Sequence, residues 1–145
     1  MKSKLHILFI CGWYPSRVLP SNGDFIERHA HAISLNHRVT VIHIISDENS
    51  INNLEIISTK KEQITTHIAY LKKTNNPIKK CFLFIKAFLK ILKEVKNFDI
   101  VHLNEVYPFG IFSLYLKWFK NKQYIISEHF TGYHLPQAKK LAFKR

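Results

Sequence analysis

Apolar runs alternate with amphipathic segments along the chain, a pattern typical of a Rossmann-like, doubly wound α/β domain. Most of the apolar runs have no polar face, as expected of strands in a mostly parallel sheet with helices on both faces. The predicted strands are Lys4–Cys11, Arg38–Ile45, Asp99–Leu103 and Gln123–Ser127, with two shorter candidates at Leu54–Ser58 and Gln63–Tyr70. The predicted helices are Asp24–Leu35, Pro77–Lys96, Pro108–Phe119 and Ala138–Arg145, and the third of these is apolar enough to be predicted as buried.

A polar segment of about a dozen residues separates the first strand from the first helix, whereas such connections usually take about 2–6 residues. At the carboxyl edge of a strand, a loop of this length suggests ligand binding. Asp24 and Glu27 fit a capping box. Gly23 precedes them, where a missing side chain lets a phosphate approach the backbone N–H groups of the helix. The alternative is a surface loop closed by an ordinary capped helix.

Length and charge limit the interpretation further. A chain of 145 residues is predicted to form a single domain with a substantial core. The formal net charge is +12, and residues 60–96 contribute +8 of it through ten lysines and only two glutamates, Glu62 and Glu94. This concentration predicts an anionic partner, namely a lipid surface, a phosphorylated substrate or a nucleic acid.

The predicted helix Pro77–Lys96 carries a narrow lysine stripe. Lys79, Lys86, Lys90 and Lys93 fall within about 60° of one another on a helical projection, and apolar residues fill most of the remaining surface. One interpretation is an ordinary packed helix with a solvated lysine face. The other is a basic helix that rests on an anionic membrane as a peripheral contact.

The sequence indicates a cytoplasmic protein without a membrane span. A spanning helix needs about 18–20 apolar residues, and the longest run without a charged residue, Leu5–Ser16, has twelve. Met1–Lys4 followed by an apolar run resembles the start of a signal peptide, but no small-residue cleavage site follows. Cys11 and Cys81 are predicted to be buried free thiols, since no metal-type or redox-type spacing is present.

Several common enzyme motifs are absent. The first strand is followed neither by the glycine pattern of dinucleotide-binding dehydrogenases nor by that of P-loop NTPases. Ser127 does not lie in a nucleophile elbow, so a serine hydrolase is not supported. His29 and His31 point to different faces of a helix and the other histidines are scattered, so neither a metal nor another cofactor is predicted.

Polar residues follow two later strands. Glu128 and His129 come directly after the last predicted strand, so they are expected at the same sheet edge as the loop before Gly23. There His129 is able to bind a sugar hydroxyl or stabilise charge, with Glu128 orienting it; a purely structural pair is the alternative. Asn104 and Glu105 end another strand at this edge, or cap the following helix, and His102 is interpreted as a core histidine.

Four segments together resemble the amino-terminal domain of glycosyltransferase family 4, whose retaining enzymes contain two Rossmann-like domains in the GT-B arrangement. The segments are residues 22–30 (NGDFIERHA), 37–42 (HRVTVI), 98–102 (FDIVH) and 125–129 (IISEH). Their order and spacing extend over nearly the whole chain. The resemblance departs from the family at Asn22-Gly23, where the family usually has paired glycines.

The resemblance implies the roles of individual residues. His129 and Glu128 are expected to be catalytic, beside the transferred sugar. The expected substrate-binding residues are Gly23 and Arg17 at phosphate, and Tyr14, Asn22 and Asn104 elsewhere in the site. The donor is expected to be a nucleotide-diphosphate sugar and the acceptor a glycan or lipid-linked glycan of the cell envelope, with transfer by retention at the inner face of the cytoplasmic membrane.

The family also has a carboxyl-terminal nucleotide-sugar domain with a pair of glutamates, and no such domain follows in this sequence. The resemblance therefore implies that residues 1–145 are the acceptor-side half of an enzyme, expected to be inactive alone. A non-catalytic module that binds anions or membranes is the alternative. Nucleic acid is not an expected partner, since helix-turn-helix, zinc and RNP patterns are absent.

Overall fold

The computed structural model describes residues 4–95 and 97–129 of the chain. The predicted helix Ala138–Arg145 and most of the predicted loop before it lie outside the described residues. The elements are β1 (His6–Cys11), α1 (Asp24–Ser34), β2 (Arg38–Asp47), β3 (Leu54–Lys61), β4 (Ile64–Lys72), α2 (Pro77–Glu94), β5 (Ile100–Asn104), α3 (Gly110–Lys120) and β6 (Gln123–Ser127).

The six described strands form one sheet in the order β3-β4-β2-β1-β5-β6, and all neighbours are parallel except β3 and β4. The sheet therefore confirms the predicted doubly wound, mostly parallel α/β fold. β1 lies at its centre, and the chain moves outward from β1 in both directions. The carboxyl ends of β1, β2, β5 and β6 consequently meet at one edge, where ligands bind in open parallel sheets.

Helix α1 covers one face of the sheet. Its buried residues Ile26 and Ala30 pack with Phe9, Val41 and other side chains of the central strands. Side chains alternate between the two faces of a strand. Cys11 and His43 therefore lie on the same face of the sheet as Phe9 and Val41, and closer to its carboxyl edge. The side chains that pack against α1 are thus direct neighbours of the polar groups at that edge.

Helices α2 and α3 share the opposite face of the sheet. Phe88 of α2 and Phe112 of α3 stack with ring centroids 3.8 Å apart, above a core that includes Leu8, Ile10 and Ile42. Asn76 caps α2 by accepting hydrogen bonds from the N–H groups of Ile78 and Lys79. The larger of the two cores therefore lies on this side and holds the two helices together.

Three predictions from the sequence are wrong. Gly23, not Asp24, is the N-cap of α1 and no side chain caps the helix, so there is no capping box. Cys81 is exposed because it points away from the α2 core, whereas Cys11 is buried as predicted. α3 is only half buried, since Ile111, Trp118 and Phe119 are exposed beside the single face that meets the core.

Strand β2 extends to Asp47, beyond the predicted end at Ile45, and the Asp47 carboxylate accepts a hydrogen bond from the N–H of Asn49 to begin the next turn. The two short strand candidates are longer than predicted and pair as an antiparallel hairpin at the sheet edge. No helix within the described parts of the chain is long and apolar enough to cross a membrane.

Candidate functional site

The candidate site lies at the carboxyl edge of the sheet on the α1 side. We call it the carboxyl-edge site, and it comprises the loop of residues 12–23, His43, Asn104, Glu105, Glu128 and His129. The loop follows β1, His43 lies in β2, Asn104 ends β5, and Glu128 and His129 follow β6. Parallel pairing through β1 thus brings together residues more than 100 positions apart in sequence.

Gly23 is held in a conformation that favours glycine. Its φ is +75°, in the left-handed region, and its carbonyl accepts hydrogen bonds from the N–H groups of Ile26 and Glu27. A Cβ at this position would lie 2.5 Å from the carbonyl carbon of Trp13 and 2.7 Å from the N of Tyr14. The two ends of the loop therefore meet backbone to backbone, and no larger residue fits between them.

A carboxylate lies at the start of α1. Asp24 pairs with Arg28 at 2.7 Å across one helical turn, and this guanidinium lowers the pKa of Asp24. Both side chains of the pair are exposed, and the Asp24 carboxylate adds negative charge at the positive end of the helix.

His129 meets the first turns of helix α1 through an aromatic contact. Its ring centroid is 4.7 Å from that of Phe25, edge to face, and 6.3 Å from that of His29. The ring of Trp13 is in turn 6.4 Å from Phe25. The Nε2 atom of His129 is buried and has no hydrogen-bond partner among the described residues. The expected meeting of the Gly23 loop and His129 at one sheet edge is therefore present.

Glu128 contacts the backbone. One carboxylate oxygen accepts a hydrogen bond from the N–H of Val106 and the other from the N–H of His129, each at 3.0 Å. The side chain thus ties the end of β6 to the loop after β5 and positions His129 through its main chain.

Below the loop, Cys11, His43 and Asn104 are neighbours across three strands. His43 Nδ1 lies 3.0 Å from the carbonyl oxygen of Cys11, so this nitrogen carries the proton and donates it, which leaves Nε2 as an acceptor. Asn104 donates from Nδ2 to the carbonyl of His102 at 3.3 Å. His43 Nε2 and Asn104 Oδ1 are both buried without a partner in the described structure. The site therefore offers two buried acceptors that have no donor of their own.

Burial keeps this layer neutral. It lowers the pKa of His43 and raises the pKa of the Cys11 thiol. The pKa of His102 is lowered as well, first by burial and then by the charges of His29 and His129. His102 Nε2 lies 2.8 Å from the Ser127 hydroxyl oxygen, which fits its interpretation as a core histidine, although its Nδ1 is buried with no partner among the described residues.

Tyr14 lies beneath the loop. Its ring is 6.5 Å from that of His43, and its hydroxyl is hydrogen-bonded to Thr66. Burial raises the pKa of Tyr14 to about 12. Tyr14 is buried, with 4 % of its surface exposed. Asn22 is half-buried, and its N–H donates to the carbonyl of Leu19 at 3.3 Å.

Arg17 is occupied by two carboxylates. Its guanidinium contacts Asp47 at 2.8 Å and Glu55 at 2.5 Å, and its central carbon lies 3.8 Å from the centroid of the Tyr70 ring. Arg17 lowers the pKa of Glu55 in return. These contacts tie the loop to β2, β3 and β4, so a phosphate would have to share Arg17 with both acids.

Sequence reasoning missed Gly12 and His43 and gave Glu105 no definite role. A Cβ at Gly12 would overlap the Glu105 carboxylate, and Glu105 itself has a φ of +86°. Gly12, His43 and Glu105 come together through the pairing register of β1 with β2 and β5. That register cannot be recognised from a local sequence motif. Among residues 4–95 and 97–129 there is no group of three or more His, Cys, Asp or Glu side chains arranged to hold a metal ion.

The sequence model of Glycosyltransferase Family 4 matches residues 26–145, most of the chain. The chain belongs to glycosyltransferase family 4. The match begins just after Gly23, so the loop of residues 12–23 lies outside it.

A solved structure with a similar fold is the catalytic domain of starch synthase IV from Arabidopsis thaliana, bound to ADP and acarbose. The two share 14 % sequence identity with a TM-score of 0.54, over 88 % of this chain and 34 % of the synthase chain. This family 4 chain thus has the fold of part of a GT-B glycosyltransferase and spans about a third of that structure. No curated protein sequence matches the chain significantly.

Proposed function

We propose that this family 4 chain forms the acceptor-side domain of a retaining glycosyltransferase. The whole enzyme would transfer a sugar from a nucleotide-diphosphate sugar to a glycan or lipid-linked acceptor of the cell envelope. The observation that carries the proposal is the carboxyl-edge site, in which buried polar atoms without partners lie beside a glycine-closed loop in a domain of this family.

The unpartnered acceptors fit the hydroxyl groups of a sugar. His43 Nε2 and Asn104 Oδ1 each require a donor, and a buried acceptor left without one costs about 1–3 kcal/mol. Sugar hydroxyls donate and accept at once, so they satisfy such atoms and also the ring nitrogen of His129. Asn22, Tyr14 and Asn104 are proposed to hold substrate on this basis.

The leaving diphosphate is proposed to lie near Gly23 at the start of α1. Backbone N–H groups and the positive helix end stabilise negative charge there without reorganising during the reaction. Arg17 keeps its predicted phosphate contact as part of the proposal, in competition with Asp47 and Glu55. His129 is proposed to stabilise charge at the transferred sugar, and Glu128 to position it. The solved starch synthase domain, with ADP and acarbose bound, supports a nucleotide and a sugar-like ligand as the relevant chemistry.

The domain is further proposed to act at the inner face of the cytoplasmic membrane. Lys79, Lys86, Lys90 and Lys93 are all exposed on α2. Exposed apolar side chains lie beside them, including Phe82 at 63 % and Ile78 at 80 % exposure. Mixed basic and apolar surfaces of this kind bind anionic lipid.

The test uses a two-domain protein that contains this domain, with a radiolabelled nucleotide-sugar donor. His129→Ala should lower kcat by about 30- to 1000-fold, the effect of losing roughly 2–4 kcal/mol of transition-state stabilisation. His31→Ala is the matched control, because His31 lies on the exposed face of α1. Equal activity of the two variants would refute the proposed role of His129.

The second candidate function is a non-catalytic module that binds anions or membranes. The exposed lysines and apolar side chains of α2 favour it independently of the carboxyl-edge site. The coding DNA after Arg145 distinguishes the two functions. A second Rossmann-like domain there supports the transferase, and an unrelated sequence supports the module.

A further inference from the structure

A groove of about 580 Å³ lies between α2 and α3. Its apolar wall includes Leu89 and Leu92 of α2, Tyr115 of α3 and Phe98, which precedes β5. These residues belong to the last turns of the two helices and to segments that enter strands, so the groove lies toward the amino edge of the sheet. It is therefore remote from the carboxyl-edge site.

The charged side chains that line this groove are all basic. Lys93, Lys120 and Lys122 line it, and no carboxylate does so among the described residues. Lys122 donates to the carbonyl of Phe98 at 2.5 Å, which fixes its ammonium at the groove. Lys93 and Lys120 are exposed and form no ion pair within residues 4–95 and 97–129.

A second cavity on the same molecule differs from the groove in its charges. The cavity of about 610 Å³ beside the β3–β4 hairpin is lined by Arg38 and Lys60 but also by Glu62 and Glu94. Its charges are balanced, whereas the helix groove combines an apolar wall with uncompensated positive charge. Of these two cavities, only the helix groove combines an apolar wall with a basic rim, the two features that an anionic amphiphile requires.

The surface around the groove extends both features. Phe119 stacks on Tyr115 with ring centroids 5.3 Å apart and is 72 % exposed. Trp118, beside it, is 71 % exposed. Aromatic side chains at the edge of a basic surface are typical of protein regions that enter the interface of a bilayer.

We propose that the groove between α2 and α3 binds one anionic phospholipid, with an acyl chain between the helices and the phosphate against Lys93 and Lys120. The proposal rests on the membrane association proposed above and adds a defined lipid site to it. It does not require sugar transfer. Apolar burial supplies the affinity for the chain, and the lysines select the charge of the headgroup.

The test is calorimetric titration of the 145-residue chain with dihexanoyl phosphatidylglycerol below its micelle concentration. Dihexanoyl phosphatidylcholine tests the requirement for net negative charge, and glycerol 3-phosphate tests whether the headgroup alone suffices. We expect phosphatidylglycerol to bind at least about tenfold more tightly than either, since the other two lack one of the contributions. If phosphatidylcholine or glycerol 3-phosphate bound as tightly as phosphatidylglycerol, the proposal would be overturned.

Variants test the location of the site. Lys93→Gln with Lys120→Gln should weaken phosphatidylglycerol binding by roughly 20-fold. Lys79→Gln with Lys80→Gln removes the same charge from the first turns of α2, outside the groove, and should change affinity less than about threefold. Equal losses in the two double variants would mean unspecific electrostatic adsorption and would overturn the proposal.

The apolar wall is tested separately by Leu89→Gln, a change at a side chain that is 37 % exposed. Phosphatidylglycerol binding should fall about fivefold, while glycerol 3-phosphate binding stays unchanged. Unchanged lipid affinity would contradict acyl-chain binding. Circular dichroism confirms folding of each variant, and Lys120→Gln alone replaces the double variant if that fails to fold. Failure of these tests with activity intact in the two-domain protein would leave the transferase proposal standing.

Discussion

At the residue scale, Gly23 closes the loop that follows β1. Two independent features exclude a side chain at this position. The φ of Gly23 is positive, and a Cβ would lie only 2.5 Å from the carbonyl carbon of Trp13. Gly23 is also the N-cap of α1, and no side chain caps the helix. One residue thus shapes the fold and the proposed phosphate position simultaneously.

Gly23→Ala should lower the free energy of unfolding by at least about 1–3 kcal/mol, the usual cost of a strained left-handed residue, with further loss from the contact with Trp13. In a chain of this size, that corresponds to a fall in Tm of several degrees, about 2–4 °C per kcal/mol. Thermal unfolding followed by circular dichroism measures it.

Gly110→Ala is the control for this change. A Cβ on Gly110 would meet Val106 Cγ1 at 3.3 Å, and the Val106 side chain is exposed enough to shift. Because Gly110 begins a helix, alanine should leave Tm unchanged or raise it slightly. Similar Tm values for the two variants would contradict the account of Gly23.

At the element scale, α2 combines two surfaces. Leu83, Ala87, Phe88 and Ile91 bury one side of the helix against the sheet. The lysine stripe occupies the other side, and both placements follow from the periodicity of the sequence. α3 is different, because its mostly apolar sequence predicted burial, whereas only one face of the helix packs against the core. The apolar sequence of a helix indicates that its surface is to be covered, but it does not indicate which part of the structure, or which partner, covers it.

Replacing Lys79, Lys86, Lys90 and Lys93 by Gln should abolish most binding to vesicles of anionic lipid at low salt. Each lysine near such a surface contributes about 1 kcal/mol, and salt screens the attraction. Vesicle co-sedimentation measures the bound fraction, and an unchanged Tm shows that the fold is retained.

The matched control replaces Lys60, Lys61, Lys72 and Lys73, which lie on the β3–β4 side, by Gln. It removes the same total charge and should retain much more of the binding. If the control loses as much as the α2 variant, the charge of the whole molecule, not the lysine stripe, governs adsorption.

At the scale of the whole molecule, the doubly wound pattern made the sheet predictable, because buried parallel strands leave a strong apolar signal. The edge that carries Gly23, Asn104 and His129 followed from the same pattern, since all three come after parallel strands. The partners within that edge were not predictable. Arg17 meets Asp47 and Glu55, and His43 meets Cys11, only through strand pairing over long sequence separations.

The whole molecule also sets the limit on activity. An interdomain cleft supplies the second nucleotide-sugar contacts and the water-poor surroundings in which fixed dipoles stabilise charge most effectively. In the proposed two-domain enzyme, residues 1–145 would supply one wall of such a cleft. They should therefore bind a nucleotide sugar only weakly, with Kd on the order of millimolar.

The most direct test of the central claim compares sugar transfer by residues 1–145 alone with transfer by a two-domain protein that contains them. Both are incubated with the same panel of radiolabelled nucleotide-diphosphate hexoses and the same membrane extract as acceptor source. The account predicts labelled product from the two-domain protein and none above background from residues 1–145. Turnover by residues 1–145 alone would contradict it.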